Sequence, residues 1–231
     1  MQIHGLNKTT LLDYPEHVAA TIFTGGCNFC CPFCHNGDLV LHPGLFPVIA
    51  EEEVMTFLKK RKGILSGVCI TGGEPTLQPD LVQFIAGIKE LGLLVKLDSN
   101  GYRPEVLREL LSKGLLDYVA MDIKNSREKY AATAGKPDFD ISRIEESVEL
   151  LKESGISYEF RTTVVKQLHE KADFEAIGDW LSGAKAYFLQ AYRDNENVIQ
   201  KGFSSYTKEE LEAFVPILKR TIGRVELRGV E

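Results

Sequence analysis

Residues 67–75 read GVCITGGEP. A short apolar run ends in two glycines, an acid and a proline, and a helix-patterned segment follows at about 80–91. The stretch is one strand, a polar turn and one helix, with the turn at the carboxyl end of the strand. Working outward, the same unit recurs. Strand-like runs stand at about 18–24 (VAATIFT), 67–71 (GVCIT), 93–98 (LLVKLD), 118–123 (YVAMDI), 158–165 (YEFRTTVV) and 186–192 (AYFLQAY), with a short strand at 225–228. Helix patterns lie at about 51–62, 80–91, 103–113, 142–154, 170–182 and 207–222. Glu51–Glu53 open the first of these. Gly63, Gly92, Gly114 and Gly155 follow four helix ends, where the left-handed terminating residue is commonly glycine.

Six alternating βα units predict an α/β chain, with a mostly parallel sheet and helices outside it. An eight-unit barrel typically takes about 250 residues, and this chain has 231. The expected architecture is therefore an open, partial (βα)6 barrel; a doubly wound sheet is the alternative. No repeat or low-complexity linker divides the chain. Residues 1–231 are read as one core domain with short N- and C-terminal extensions.

In parallel α/β folds chemistry gathers at the carboxyl ends of the strands. The polar motifs fall there. A cysteine-rich loop follows the first strand, GGEP (72–75) the second and DSNG (98–101) the third. Asp122 and Lys124 end the fourth strand, and Tyr192 and Arg193 end the sixth. Motifs far apart in sequence are thus expected on one rim.

Composition narrows the class of function. Net charge is −6, with acids and bases mixed along the chain, and no basic stripe marks a nucleic-acid binder. No run approaches the roughly 18–20 apolar residues of a membrane span, and the N-terminus lacks a secretion-signal layout. A cytoplasmic protein with a small substrate or a protein partner is expected.

Four of the five cysteines crowd into CNFCCPFC (27–34). Bridges inside so short a loop would be strained, so metal or redox chemistry is the reading. Closely spaced thiolates are the usual ligands of iron–sulfur clusters. Structural zinc commonly uses two C-x-x-C pairs some 15–20 residues apart, and no second pair stands at that distance here. Spacing alone admits two three-cysteine sets, Cys27, Cys31 and Cys34 or Cys27, Cys30 and Cys34. Cys69, inside an apolar run, reads as a core residue.

GGCNFCCPFCHN (25–36) resembles the signature loop of the radical S-adenosylmethionine superfamily, in which an aromatic residue precedes the last cysteine; Phe33 holds that place. The resemblance implies that Cys27, Cys31 and Cys34 ligate a 4Fe-4S cluster, with Cys30 a bystander. It implies that S-adenosylmethionine binds the open iron, with Phe33 and the backbone through His35 against its adenine. GGEP resembles the family motif that accepts the methionine amino group, which puts Gly72, Gly73 and Glu74 at the cofactor. LDSNG and AMDIK resemble pyruvate formate-lyase activators. There, Asp98, Ser99, Asp122 and Lys124 would contact ribose and methionine carboxylate, while Asp98, Ser99, Asp122 and the Ala120 carbonyl would hold a monovalent cation. Arg161 is expected either inside the barrel, at the cofactor, or in a structural salt bridge. Arg193 stands where those activators carry histidine, and is expected to address a carboxylate or hydroxyl of the cofactor.

The resemblance covers essentially the whole chain. It is greatest to activating enzymes of glycyl-radical proteins, through LNKTTLLDYPEHVAATIFTGGCNFCCPFCHN (6–36), and especially to the anaerobic ribonucleoside-triphosphate reductase activators. It implies a glycyl-radical enzyme as protein substrate and a flavodoxin or ferredoxin-type electron donor. No cysteine follows Cys69, and no ferredoxin-like insertion lies between His35 and Glu51. The expected protein is therefore nearly the bare core. The alternatives are a pyruvate formate-lyase activator, a small-molecule enzyme like 7-carboxy-7-deazaguanine synthase, and a cluster- or zinc-bearing module without cofactor cleavage.

Overall fold

In the computed structural model, which describes residues 1–230, the strands lie in the sheet in chain order. They are β1 (Ile3–Thr10), β2 (Ala19–Thr24), β3 (Gly67–Gly72), β4 (Leu94–Ser99), β5 (Tyr118–Asp122), β6 (Ser157–Val164), β7 (Ala186–Ala191) and β8 (Arg224–Arg228). Strands β2 to β8 run parallel, each paired to the next, and β1 pairs antiparallel with β2. β1 and β8 are the two edges, so the sheet stays open.

The open partial barrel is as expected, but its strand count is eight rather than six. β8 joins the main sheet. β1, absent from the sequence reading, covers the outer edge of β2. Its residues IHGLNKTT are mostly part-exposed or exposed, so the strand carries no hydrophobic alternation from which it could be recognised.

The helices are α1 (Gly37–Leu41), α2 (Glu51–Lys60), α3 (Leu81–Glu90), α4 (Pro104–Ser112), α5 (Tyr130–Ala134), α6 (Ile141–Glu153), α7 (Lys171–Trp180), α8 (Lys208–Glu212) and α9 (Val215–Leu218). Gly63, Gly92, Gly114 and Gly155 all take positive φ, as their places after helices predict. The single helix expected over 207–222 is broken into α8 and α9. Pro216 sits in the first turn of α9, where its missing N–H costs nothing, whereas inside one long helix it would remove a bond.

Strand alternation gives the sheet two chemistries. Ile22, Ile70, Leu97, Val119, Phe160 and Leu189 are fully buried, together with Leu58, Ile85, Leu107, Val148 and Ile177 from the helices. That layer is the core, and each such side chain contributes about 1.5–3 kcal/mol by leaving water. Residues one position away along the strands face the concave side, and there polar side chains stand among apolar ones such as Ala120 and Phe188. Thr21, Cys69, Lys96 and Tyr118 share one rung across β2 to β5. Asp98 and Ala120 pair one rung higher, and Asp122 pairs with Arg161. The concave face is thus a column of paired charges leading up to the strand carboxyl ends.

Candidate active site at the strand carboxyl ends

The cysteine loop leaves β2 at its carboxyl end and is clamped from distant parts of the chain. The Cys30 amide donates to the Ala134 carbonyl (3.0 Å), the Gln200 amide to the Pro32 carbonyl (2.8 Å) and the Gly37 amide to the Asn197 carbonyl (3.2 Å). Phe29 packs against Tyr102 and Phe139 and anchors the loop from below.

Within this frame the four thiols divide. Cys27, Cys31 and Cys34 line one cavity, together with Phe33 and His35. Cys30 is exposed and lies outside it. Burial, with Glu74 adding its negative charge, pushes the Cys27 thiol up to about 12. Burial also raises Cys31 to about 11, against the pull of Lys124, and raises Cys34. The three thiols are therefore protonated at neutral pH, and ligation would displace their protons. Among the described residues, no three His, Cys, Asp or Glu side chains converge on a single-ion position. The donors are three separate thiols sharing one cavity, an arrangement that fits a multi-iron group.

The opposite wall is the turn after β3. Gly72 has φ +122°, and a Cβ there would lie 2.3 Å from the Thr24 backbone; at Gly73 it would lie 1.9 Å from the Gly26 carbonyl oxygen. The glycines thus let this turn lie directly on the start of the cysteine loop. The Glu74 amide donates to the Gly26 carbonyl at 2.8 Å, and Asn36 Nδ2 donates to the Gly72 carbonyl at 2.8 Å. Two motifs some forty-five residues apart thus pack backbone against backbone, a contact that a Cβ at either glycine would break.

Glu74 is only 1 % exposed. Its carboxylate accepts from the Thr76 amide (3.1 Å), Thr76 Oγ1 (2.5 Å), Ser99 Oγ (2.8 Å) and the Asn100 amide (2.7 Å). Burial outweighs these bonds and raises its carboxyl above the ordinary range. It ties the β3 turn to the end of β4, while its negative charge stands at the cavity wall.

The floor is an ion cluster. Arg161 reaches from β6 across two strands, with Nε donating to Asp122 Oδ1 (2.6 Å) and Nη1 to Asp98 Oδ2 (3.1 Å). Lys124 Nζ donates to the other oxygen of Asp122 (2.7 Å). Lys96 is paired with Asp98, and its Nζ also lies 3.7 Å from Cys69 Sγ. Burial alone would raise both aspartates, but Arg161 with Lys96 or Lys124 outweighs it and holds both carboxyls below the usual range. Burial likewise disfavours the charge on Lys124, which Asp122 overrides, so its pKa is raised. Arg161 is thus both interior and salt-bridged, joining the two sequence readings.

At the expected cation site the aspartate oxygens are taken by basic side chains. Asp98 is met by Lys96 and Arg161, and Asp122 by Arg161 and Lys124. Arg193 does not line the cavity. Its side chain is exposed and outside the cavity, and its guanidinium donates to the Gly229 carbonyl at 3.2 Å. Its own carbonyl meets His35 Nε2 at 2.5 Å, with the His35 ring stacked on Tyr192 at 5.4 Å. At this place the backbone positions His35. Asn36, Thr163 and Gln190 line the cavity without having been expected. Period-two spacing from Arg161 would have found Thr163.

A parallel α/β sheet with its polar cavity at the strand carboxyl ends defines an enzyme of the barrel type. The Radical SAM superfamily matches residues 21–181. A candidate glycyl-radical enzyme activating enzyme of Methanocaldococcus jannaschii is 32 % identical over 235 residues, covering 99 % of this chain and 96 % of that protein. The pyruvate formate-lyase-activating enzyme of Clostridium pasteurianum is 32 % identical over 148 residues, 60 % of each chain. Among solved structures, Streptococcus suis SuiB bound to its precursor peptide SuiA superposes with a TM-score of 0.71 at 14 % identity. It covers 90 % of this chain, which spans about half (48 %) of SuiB. The chain belongs to the radical S-adenosylmethionine superfamily.

Proposed function

We propose that the protein is a radical S-adenosylmethionine activating enzyme that generates a glycyl radical on a partner enzyme, anaerobic ribonucleoside-triphosphate reductase. The observation that carries the glycyl-radical reading is the similarity to the Methanocaldococcus jannaschii activating enzyme, which runs nearly end to end in both chains. The choice of reductase as partner rests on the resemblance of residues 6–36 alone.

In this reading Cys27, Cys31 and Cys34 hold a 4Fe-4S cluster, and Cys30, which faces solvent, does not. When bound, the cluster and S-adenosylmethionine supply one-electron cleavage of the sulfonium and a radical able to abstract hydrogen. The chain orients and shields. Phe33 and the backbone through His35 lie against the adenine. The turn of Gly72 and Gly73, which lines the cavity with Glu74 beside it, receives the methionine ammonium. Asp98 and Ser99 address the ribose side, and Asp122, Lys124 and Arg161 set the charge that meets the methionine carboxylate. A flavodoxin or ferredoxin-type protein is the electron donor.

The geometry of access supports a protein loop as substrate. A reacting Cα has to come within roughly 3–3.5 Å of the attacking centre, inside the cavity at the strand carboxyl ends. A folded surface does not reach that depth, whereas a glycine loop does, and glycine leaves its Cα least obstructed. Mixing reduced enzyme, S-adenosylmethionine and the reductase should give a glycyl-radical doublet in electron paramagnetic resonance, with deoxyadenosine forming in step. Replacing the target glycine by alanine should abolish the doublet. Brisk cofactor cleavage with no doublet on any glycyl-radical enzyme, and consumption of a small metabolite instead, would overturn the activator reading.

A further inference from the structure

The floor of the cavity pairs its charges in a way that bears on the expected cation site. Two carboxylates, Asp98 and Asp122, are met by three basic groups, Lys96, Lys124 and Arg161. The side chains are largely buried, with Lys96 4 % and Asp98 12 % exposed. The guanidinium of Arg161 joins the two carboxylates, bonding one oxygen of each. The remaining Asp122 oxygen is taken by Lys124 and the remaining Asp98 oxygen by Lys96.

An alkali-metal ion binds through oxygen lone pairs that face it from several sides. Here all four carboxylate oxygens already accept from positively charged donors. An ion placed between the aspartates would contend with three cations in a poorly solvated space, where like charges repel far more than in water. The cluster carries one positive charge in excess before anything binds, which suits an incoming carboxylate and opposes an incoming cation. The planar fork of arginine can span two carboxylates, which a single ammonium does less well.

We infer that Arg161 is a built-in counter-ion that does the work of a monovalent cation between Asp98 and Asp122, so that cofactor binding in this protein is independent of alkali-metal ions. The inference rests on the reading of this cavity as the S-adenosylmethionine site. Arg161 acts as a positioning residue, holding β4, β5 and β6 at a fixed spacing beneath the cofactor.

The test uses the full chain, anaerobically reconstituted, in potassium, lithium and choline chloride at matched ionic strength. Calorimetric affinity for S-adenosylmethionine should be the same in all three salts, and so should the thermal midpoint of the cofactor-free protein. Arg161→Ala should bind about tenfold or more weakly in choline. Potassium should restore part of that affinity and raise the variant's thermal midpoint, because an ion that binds only the folded form stabilises it. Wild-type affinity that rises in potassium over choline would overturn the inference, as would an Arg161→Ala protein with no ion dependence. Should that variant fail to fold, the wild-type comparison decides alone. Absence of cofactor binding in every salt, with the cluster present, would instead overturn the underlying reading. The salt response of the wild-type thermal midpoint would then still judge Arg161.

Discussion

Strand β6 presents two unlike faces. Toward the helices it turns Tyr158 and Phe160, with rings 5.3 Å apart, and Thr162, whose hydroxyl bonds the Ile123 carbonyl and Tyr187. Toward the concave side it turns Glu159, Arg161 and Thr163. Glu159 is fully buried, paired with Arg228 and accepting from Tyr118 at 2.6 Å. One face is held by volume and the other by charge pairing, within the same eight residues. The same residue-to-residue alternation thus lets one strand serve stability and chemistry with different side chains, and substitutions on the two faces should separate cleanly.

The largest effect should come at the rim. Cys27→Ala, Cys31→Ala and Cys34→Ala should each lose the cluster and all cofactor cleavage, measured as iron content and deoxyadenosine formed. Cys30→Ala should retain about four irons and its activity; a matching loss there would reassign the ligands. On the apolar face, Phe160→Ala should cost about 3–5 kcal/mol in urea unfolding, while the folded fraction keeps its cofactor affinity. If affinity falls in proportion, the two faces are not independent.

Asp122→Ala should do the reverse, weakening S-adenosylmethionine binding by calorimetry about tenfold to a hundredfold. The smallest effect is on acid stability. Asp98 and Asp122 are both held below the ordinary carboxylate range in the folded state. The stabilisation they contribute is present above the unfolded value near 4 and is lost as pH falls below it. The thermal midpoint should therefore hold from pH 7 to about 5 and drop below about 4, and Asp122→Asn should flatten that drop. An unchanged slope in the variant would assign the acid sensitivity to other carboxylates.

Much of this arrangement was legible in the sequence because it is periodic. The βα repeat and the four helix-ending glycines follow from local rules, and the repeat alone places the motifs on one rim. What escaped depends on contacts between distant segments. β1 is an edge strand without alternation. Pro216 divides the last helix at a point that a pattern of apolar spacing passes over. The closeness expected of Gly72 and Gly73 is to the backbone of Thr24 and Gly26, which no local rule anticipates. Arg193 sits at the expected strand end, yet its guanidinium donates to the Gly229 carbonyl, thirty-six residues later.

The clamps on the cysteine loop bear on how the protein is made. Residues 27–34 leave the ribosome early, but the carbonyls and amides that fix them belong to Ala134, Asn197 and Gln200. A nascent chain shorter than about two hundred residues therefore lacks the clamps from Asn197 and Gln200 at and beside that loop. Contacts so distant in sequence form late, after the chain between them has been synthesised and the intervening strands have paired. Iron delivery should consequently follow release of nearly the whole polypeptide. A truncated chain ending before Asn197 should take up iron poorly, even though it contains every cysteine in the sequence.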